Sequence, residues 1–117
     1  MVAIEQATSS VADAQRTQKR TNLPVTMIKK NADRFEAGDA FFDLAILDPP
    51  RKGASGVITE LSITRPKRIL YVSCNPYALR KDVHEASKVG YRPSRIVLFE
   101  MFPQTNHCEL LMELVPT

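Results

Sequence analysis

The 117-residue sequence is poor in cysteine and glycine, and it contains no hydrophobic run long enough to cross a membrane. Two cysteines, Cys74 and Cys108, are too few for a disulfide framework and are not spaced as zinc ligands, so we predict no metal site. The four glycines begin at Gly38 and form no glycine-rich loop. The start of the chain lacks the basic and apolar segments of a signal peptide. We therefore expect a cytoplasmic protein without a membrane segment.

The overall composition is that of an ordinary globular domain, with 44% hydrophobic and 25% charged residues. Its length fits a single domain spanning residues 1–117. The net charge of +3 suits an anionic partner, although many proteins this basic bind no nucleic acid. Charge alone therefore does not decide the function.

Hydrophobic runs of strand length alternate with segments of helical periodicity. Strands are predicted over residues 2–5, 25–29, 41–47, 68–73, 95–101 and 108–115, and helices over residues 9–19, 54–63 and 76–88. Alternating strands and helices indicate an α/β fold built on a mostly parallel sheet. The last two strands are predicted to form an antiparallel hairpin around residues 102–106.

Polar residues follow several of these strands, at the sheet edge where ligands gather in α/β folds. Cys74 follows the strand over residues 68–73, Asn75 is a good helix N-cap, and Pro76 suits the first helical position. A cysteine that faces a helix N-terminus is a plausible thiolate nucleophile. The alternative is a buried cysteine that only packs, which is common.

The segment Asp48-Pro49-Pro50-Arg51 follows another strand, and its two prolines hold the backbone extended and away from helix. The aspartate can meet a cofactor or a base edge, and Arg51 can meet phosphate. The alternative is a proline-rich turn with solvated charges. Glu5, which ends the first strand, is the residue type that accepts hydrogen bonds from ribose hydroxyls, although a solvated residue at a strand end is the more common case.

A third polar group, His107-Cys108-Glu109, opens the last predicted strand. Strand alternation places His107 and Glu109 on one face and Cys108 on the other. A glutamate held in a partly apolar pocket can act as a general base. The alternative is a strand residue whose carboxylate faces solvent.

Three segments together resemble the RNA (uracil-5-)-methyltransferase family of the TrmA/RumA type, which makes 5-methyluridine in tRNA or rRNA. They are Asp48-Pro49-Pro50-Arg51-Lys52-Gly53, Ile69-Leu70-Tyr71-Val72-Ser73-Cys74-Asn75-Pro76 and Met101-Phe102-Pro103-Gln104-Thr105-Asn106-His107-Cys108-Glu109. The resemblance covers essentially the whole chain. It implies a Rossmann-like methyltransferase fold, S-adenosylmethionine as cofactor and a uridine in RNA as substrate.

The resemblance also implies roles for individual residues. Cys74 would be the nucleophile that attacks carbon 6 of uracil, and Glu109 would be the base that removes the carbon 5 proton. The implied cofactor-binding residues are Glu5, Asn31 and Asp48, and the implied substrate-binding residues are Asp48, Pro49, Arg51 and Asn75.

The family pattern includes a strand and a glycine loop ahead of the position of Glu5, and these are missing from this sequence. That strand lies centrally in the family's sheet, so we expect an incomplete sheet with exposed strand edges and a tendency to self-associate. We also expect these 117 residues alone to be inactive or nearly so. One alternative is a non-catalytic RNA-binding or assembly fragment. Another is an amino-group methyltransferase, which is disfavoured because Arg51 stands where that chemistry uses an aromatic residue.

Overall fold

The computed structural model describes residues 1–105 and 107–117, so Asn106 of the predicted hairpin turn lies outside the described residues. Two compact units are present, Met1–Phe35 and Glu36–Thr117. The expectation of a single domain over residues 1–117 stays a prediction. The main elements, in chain order, are β1 (Val2–Glu5), α1 (Thr8–Thr21), β2 (Thr26–Lys29), β3 (Leu44–Leu47), α2 (Ser55–Thr64), β4 (Arg68–Ser73), α3 (Pro76–Lys88), β5 (Tyr91–Phe99) and β6 (Glu109–Pro116).

The first unit is a parallel two-stranded sheet whose strands are connected by a helix. β1 pairs with β2 in a register that runs from Val2 opposite Thr26 to Glu5 opposite Lys29. Helix α1 buries Val11 and ends at Asn22, which adopts the left-handed conformation with φ of 52°. Both strands and the helix were predicted from the sequence, and the helix is longer than predicted by one residue at its start and two at its end. A short 3₁₀ helix over Ala32–Arg34 follows β2 and was not predicted.

The second unit is a four-stranded sheet in the order β3-β4-β6-β5. β3 and β4 are parallel, whereas β6 runs antiparallel to both β4 and β5. These pairings confirm the α/β fold and the C-terminal antiparallel hairpin. The core is formed by apolar and aromatic side chains of the sheet and its helices, among them Ile58, Ile69, Tyr71, Tyr91 and Leu114.

β5 departs most from its predicted span, because it begins at Tyr91 and ends at Phe99. Its first half contains Pro93, and the pairing register with β6 shifts between Pro93 and Arg95. Proline is tolerated in edge strands and at bulges, since it has no amide hydrogen to donate. Pro93 therefore hid the first half of β5 from prediction, although the strand forms there.

β3 is shorter than predicted and has one paired edge. It begins at Leu44 rather than at residue 41, and the side chain of Phe41 is 90% exposed. Among the described residues β3 pairs only with β4 and β1 pairs only with β2, so each of these strands has one edge without a partner strand, as expected. Leu44 and Ile46 on β3 are 46% and 66% exposed. Within the described part of the chain, no helix is both long and apolar enough to span a membrane.

Candidate active site around Cys74

Cys74 lies directly between the end of β4 and the start of α3. The Asn75 side chain caps the helix: its oxygen accepts hydrogen bonds from the amides of Tyr77 at 3.1 Å and Ala78 at 3.5 Å. Pro76 occupies the first turn of the helix. The strand end, the cap and the helix start predicted here are therefore confirmed. The Cys74 side chain is half-buried and forms no disulfide.

A pocket of about 210 Å³ opens beside Cys74. Three of its lining residues were predicted as site residues from the sequence: Cys74, Glu109 and Arg51. The other lining residues are Phe102, His107 and Cys108. The structure thus gathers the ends of three separate segments of the chain at one cavity.

The pairing of β4 with β6 accounts for the proximity of Cys74 and Glu109. The last paired positions place Ser73 opposite Leu110. Cys74 follows Ser73 and Glu109 precedes Leu110, and on antiparallel strands these two positions come next to one another. Because β6 begins at Glu109, Cys108 lies before the strand, where alternation no longer determines its direction. Cys108 consequently lines the same pocket as His107 and Glu109, which differs from the expectation that it faces the opposite side.

The loop that carries Arg51 is fixed by hydrogen bonds at several points. The Asn75 side-chain nitrogen donates to the Arg51 carbonyl at 2.8 Å, and the Gly53 amide donates to the Pro50 carbonyl at 2.9 Å. The Ala54 amide donates to Oδ2 of Asp82 at 2.6 Å. Asn75 therefore connects the Arg51 loop to the helix that follows Cys74.

Asp82 is a buried carboxylate on α3 that sequence reasoning missed, with only 3% of its surface exposed. Besides the Ala54 amide it accepts a hydrogen bond from the Tyr71 hydroxyl on β4. Burial raises the pKa of Tyr71 well above its usual range, and the hydrogen bond to Asp82 adds to the shift. A signal was present in the sequence, because Asp82 lies at helical spacing between the apolar residues Leu79 and Ala86.

Three further predicted substrate residues lie outside the pocket lining. Asp48 follows β3 with an exposed side chain, and Pro49 beside it is half-buried. The amide group of Asn75 is engaged by the chain itself, as described above. Their roles in substrate or cofactor binding stay predictions.

Glu5 and Asn31 belong to the first unit. Glu5 is the last residue of β1, and Asn31 lies two residues beyond the end of β2. Oε1 of Glu5 accepts a hydrogen bond from the Ala7 amide at 2.6 Å. Oδ1 of Asn31 accepts one from the Asp33 amide at 3.0 Å and so caps the 3₁₀ helix. Their predicted role in binding the cofactor stays a prediction.

Phe102 and His107 are pocket residues to which sequence reasoning gave no role. Their rings meet edge to face, with centroids 6.4 Å apart and an interplanar angle of 80°. The Thr105 hydroxyl donates to the Phe102 carbonyl at 2.8 Å and accepts from the His107 amide at 3.2 Å. Both residues lie in the third segment quoted above, which was their only signal. No group of three potential metal ligands is found in residues 1–105 and 107–117.

Comparison with known proteins identifies the family. The sequence profile of the tRNA (uracil-5-)-methyltransferase family matches residues 3–115. The chain belongs to this family. Among curated uracil-methyltransferase relatives, the 23S rRNA (uracil(1939)-C(5))-methyltransferase RlmD of Pseudomonas fluorescens is 38% identical over 116 residues, which are 95% of this chain and 26% of that protein. RlmD of Edwardsiella ictaluri is 35% identical over 114 residues, with 93% and 26% covered. The chain thus spans about a quarter of the length of these relatives.

Solved structures confirm the Rossmann-like methyltransferase fold. The Pyrococcus abyssi tRNA (uracil-54, C5)-methyltransferase, solved with S-adenosyl-L-homocysteine, superposes with a TM-score of 0.83 at 30% identity. The superposition covers 97% of this chain and 28% of that one. TYW2 of M. jannaschii, solved with AdoMet, has a TM-score of 0.67 at 14% identity and covers 99% of this chain and 57% of its own, which bears on the fold alone. This uracil-methyltransferase family member therefore shares its architecture with a solved structure of the same family and, at low identity, with TYW2.

Proposed function

We propose that this chain carries the catalytic residues of an S-adenosylmethionine-dependent methyltransferase that acts on carbon 5 of a uridine in tRNA or rRNA. One observation carries the proposal: the thiol of Cys74 and the carboxyl group of Glu109 belong to residues that line the same pocket. A cysteine that only packs in the core would not need to lie beside a glutamate at a pocket, and neither would a strand glutamate that faces solvent need a cysteine beside it. The two RlmD proteins and the Pyrococcus abyssi enzyme are uracil-C5-methyltransferases of RNA, which supports the same reaction here.

The chemistry needs a nucleophile because carbon 5 of uracil is itself a poor one. The Cys74 thiolate adds to carbon 6, which moves the electron pair of the ring double bond toward carbon 5 and makes that carbon enolate-like. S-adenosylmethionine supplies the methyl group that carbon 5 accepts. Glu109 then removes the proton from carbon 5, the double bond re-forms, and the sulfur of Cys74 leaves carbon 6.

The remaining pocket residues suit a base that has left its stack. Phe102 is 53% exposed, and its ring offers a flat apolar surface on which uracil can stack, with His107 next to it. Arg51 is exposed and is proposed to contact a backbone phosphate, together with Arg80 and Lys81 on α3. Asp48, Pro49 and Asn75 are proposed to contact the target nucleotide from the loop ends next to the pocket.

The cofactor assignment falls on Glu5, Asn31 and Asp48. The Ala7 amide orients the carboxylate of Glu5 at the end of a parallel strand. A carboxylate in that position is suited to accept hydrogen bonds from ribose hydroxyls, so the residue fits the group. Asn31 is proposed to approach the adenine, and Asp48 to lie toward the transferred methyl group.

The proposal is tested with RNA in which the target uridine is replaced by 5-fluorouridine. Fluorine cannot leave carbon 5 as a proton, so an active protein stays covalently attached to its RNA. In a chain extended to include a glycine loop, we expect an adduct, formed with S-adenosylmethionine, on tryptic peptide 69–80, which contains Cys74, and its loss in Cys74→Ser. An adduct on peptide 96–117 would instead make Cys108 the nucleophile and contradict the mechanism.

We propose that the 117 residues by themselves give little or no adduct, and that a chain extended to include a glycine loop gives more. RNA binding without any adduct in either chain would favour the alternative, a non-catalytic RNA-binding or assembly fragment. We further propose that the protein self-associates through the outer edge of β3. Its exposed Leu44 and Ile46 and its missing second neighbour among the described residues support this.

A further inference from the structure

Both cysteines of the chain border one cavity. Cys74 and Cys108 are the two cysteines in the sequence, both are free, and both are half-buried. Each lines the pocket of about 210 Å³ described above. The reaction proposed for the pocket uses the sulfur of Cys74 and assigns no task to the sulfur of Cys108.

The pairing of β4 with β6 brings the two backbones close. Ser73 is opposite Leu110, Cys74 follows Ser73, and Cys108 precedes Leu110 by two positions. Residues that face each other on antiparallel strands have Cα atoms about 4.5–5.5 Å apart, and an offset of one position adds a rise of about 3.4 Å along the strand, which gives a separation of about 6 Å. A disulfide requires Cα atoms about 4.4–6.8 Å apart. Because Cys108 lies before the first residue of β6, its side chain can turn toward Cys74 without breaking the strand ladder.

We propose that Cys74 and Cys108 form a peroxide-sensitive dithiol that closes to an intramolecular disulfide. Hydrogen peroxide transfers one oxygen atom to one of the two sulfurs, its O–O bond breaks, and a sulfenic acid and water form. The second thiol attacks the sulfenic sulfur, the S–S bond forms, and a second water molecule leaves. Two thiols have then been oxidised by two electrons, and one peroxide has been reduced to two water molecules.

The consequence for activity rests on the proposed function. A sulfur held in a disulfide cannot add to carbon 6 of uracil, so oxidation would switch the site off, and reduction by a dithiol would restore it. The closure also protects Cys74, because a sulfenic acid trapped as a disulfide does not proceed to the irreversible sulfinic and sulfonic acids.

The test uses the full chain, reduced, freed of reductant and treated with hydrogen peroxide. We expect a single chain that is not disulfide-linked to another chain and whose intact mass has fallen by two hydrogen atoms. Trypsin should release peptides 69–80 and 96–117 as one linked species, which dithiothreitol separates. Cys108→Ser and Cys108→Ala should form no link and should instead gain oxygen on peptide 69–80. Circular dichroism establishes that these variants remain folded, and the two substitutions check one another.

Repeating the oxidation in urea tests whether the disulfide forms merely because the chain is flexible. Unfolded, the intervening residues 75–107 form a flexible loop, and we expect linking to slow by about ten-fold or more relative to the folded chain. Equal rates in both conditions would overturn the proposal. Oxygen added to peptide 69–80 of the unaltered chain without a link, or disulfides formed only between chains, would overturn it as well. None of these readouts requires methyltransferase activity, so failure here is distinct from failure of the proposed function.

Discussion

The contact between Gly53 and Asp82 shows how closely single residues are packed beneath the Arg51 loop. Gly53 adopts φ of +91°, and a Cβ atom at this position would lie 2.4 Å from Oδ2 of Asp82. That oxygen is held by the Ala54 amide and the Tyr71 hydroxyl. A side chain at residue 53 therefore displaces a buried carboxylate as well as straining the backbone.

We predict that Gly53→Ala lowers the free energy of unfolding by about 2–4 kcal/mol, from backbone strain plus the clash. Gly38→Ala is the matched control, because Gly38 also has positive φ, at +57°, but nothing lies within 4 Å of its added Cβ. We expect Gly38→Ala to cost only about 1 kcal/mol. In an Asp82→Ala background the cost of Gly53→Ala should fall by about 1 kcal/mol or more. Urea unfolding followed by circular dichroism measures the three single variants and the double variant. If the costs of Gly53→Ala and Asp82→Ala simply add in the double variant, the assigned contact is wrong.

The ionisation of Tyr71 is expected to lower the stability of the folded protein at alkaline pH. Its pKa is raised in the folded protein, first by burial and then by the hydrogen bond to Asp82. In the unfolded chain a tyrosine ionises near pH 10, so above about pH 10 the unfolded state loses protons that the folded state keeps. The stabilisation is fully present below that pH and is lost as pH rises further, at about 1.4 kcal/mol per pH unit. Unfolding free energies measured against pH should show a shallower decline in Tyr71→Phe, and equal declines would refute the assignment.

Glu109 is predicted to act after methyl transfer, which gives its variant a distinctive signature. With unmodified uridine RNA and S-adenosylmethionine, Glu109→Gln should retain the Cys74 adduct because the carbon 5 proton is not removed. Turnover should fall by about 10²–10⁴-fold, the usual contribution of a general base. Intact mass of the protein–RNA mixture detects the adduct, in a chain shown to be active. An inactive Glu109→Gln variant without adduct would place Glu109 before the covalent step or outside the chemistry.

At the scale of whole elements, signals close together in sequence were sufficient for β4 and α3. The apolar run ending at Ser73, the cap Asn75 and the following Pro76 predicted the strand, the turn and the helix start that the structure shows. The start of β5 was missed because Pro93 argues against a strand unless the partner strand is known. Asp82 was missed because its partners, Tyr71 and Ala54, are distant in sequence. Helical periodicity places Asp82 on the apolar face of α3 but does not identify those partners.

The pocket shows the same division. Cys74 and Arg51 could be proposed as site residues because each follows a strand, at the sheet edge where α/β folds gather ligands. Glu109 opens the last predicted strand, and the family resemblance joined it to the other two. Phe102 was given no role and Cys108 was placed on the wrong side, since both lie between β5 and β6, where neither period applies. The start of β6, one residue later than predicted, decides the direction of Cys108.

Asn75 performs two tasks that substitutions can separate. Asn75→Ala removes the helix cap and the hydrogen bond to the Arg51 carbonyl, and should cost about 1–2 kcal/mol of unfolding free energy. Asn75→Asp keeps a capping oxygen but has no nitrogen to donate, so it should stay within about 1 kcal/mol of the unaltered chain. The rate of Cys74 alkylation by iodoacetamide should change in both variants, because both release the Arg51 loop beside the pocket. Unchanged alkylation in Asn75→Asp would show that the loop is held by other contacts.

The molecule as a whole has two sheets, and each leaves strand edges without a neighbour in the described part of the chain. We predict concentration-dependent self-association that Ile46→Lys weakens by about ten-fold or more, since an inserted charge on an edge strand opposes pairing. Ile63→Lys is the matched control, because Ile63 on α2 is as exposed as Ile46, at 66% each. Sedimentation equilibrium measures the association constants. A monomer at all concentrations, or equal effects of the two substitutions, would contradict pairing through β3.

The antiparallel pairing of β4 with β6 fixes the distance between two residues that line the pocket. It sets the spacing of Cys74 and Glu109 through the hydrogen bonds of the ladder that ends at Ser73 and Leu110, whatever the length of chain between them. A slip of two residues along this ladder would carry Glu109 about 7 Å away from the sulfur. The connection through α3 and β5 can therefore change in length or charge while the distance between Cys74 and Glu109, the proposed nucleophile and base, stays the same.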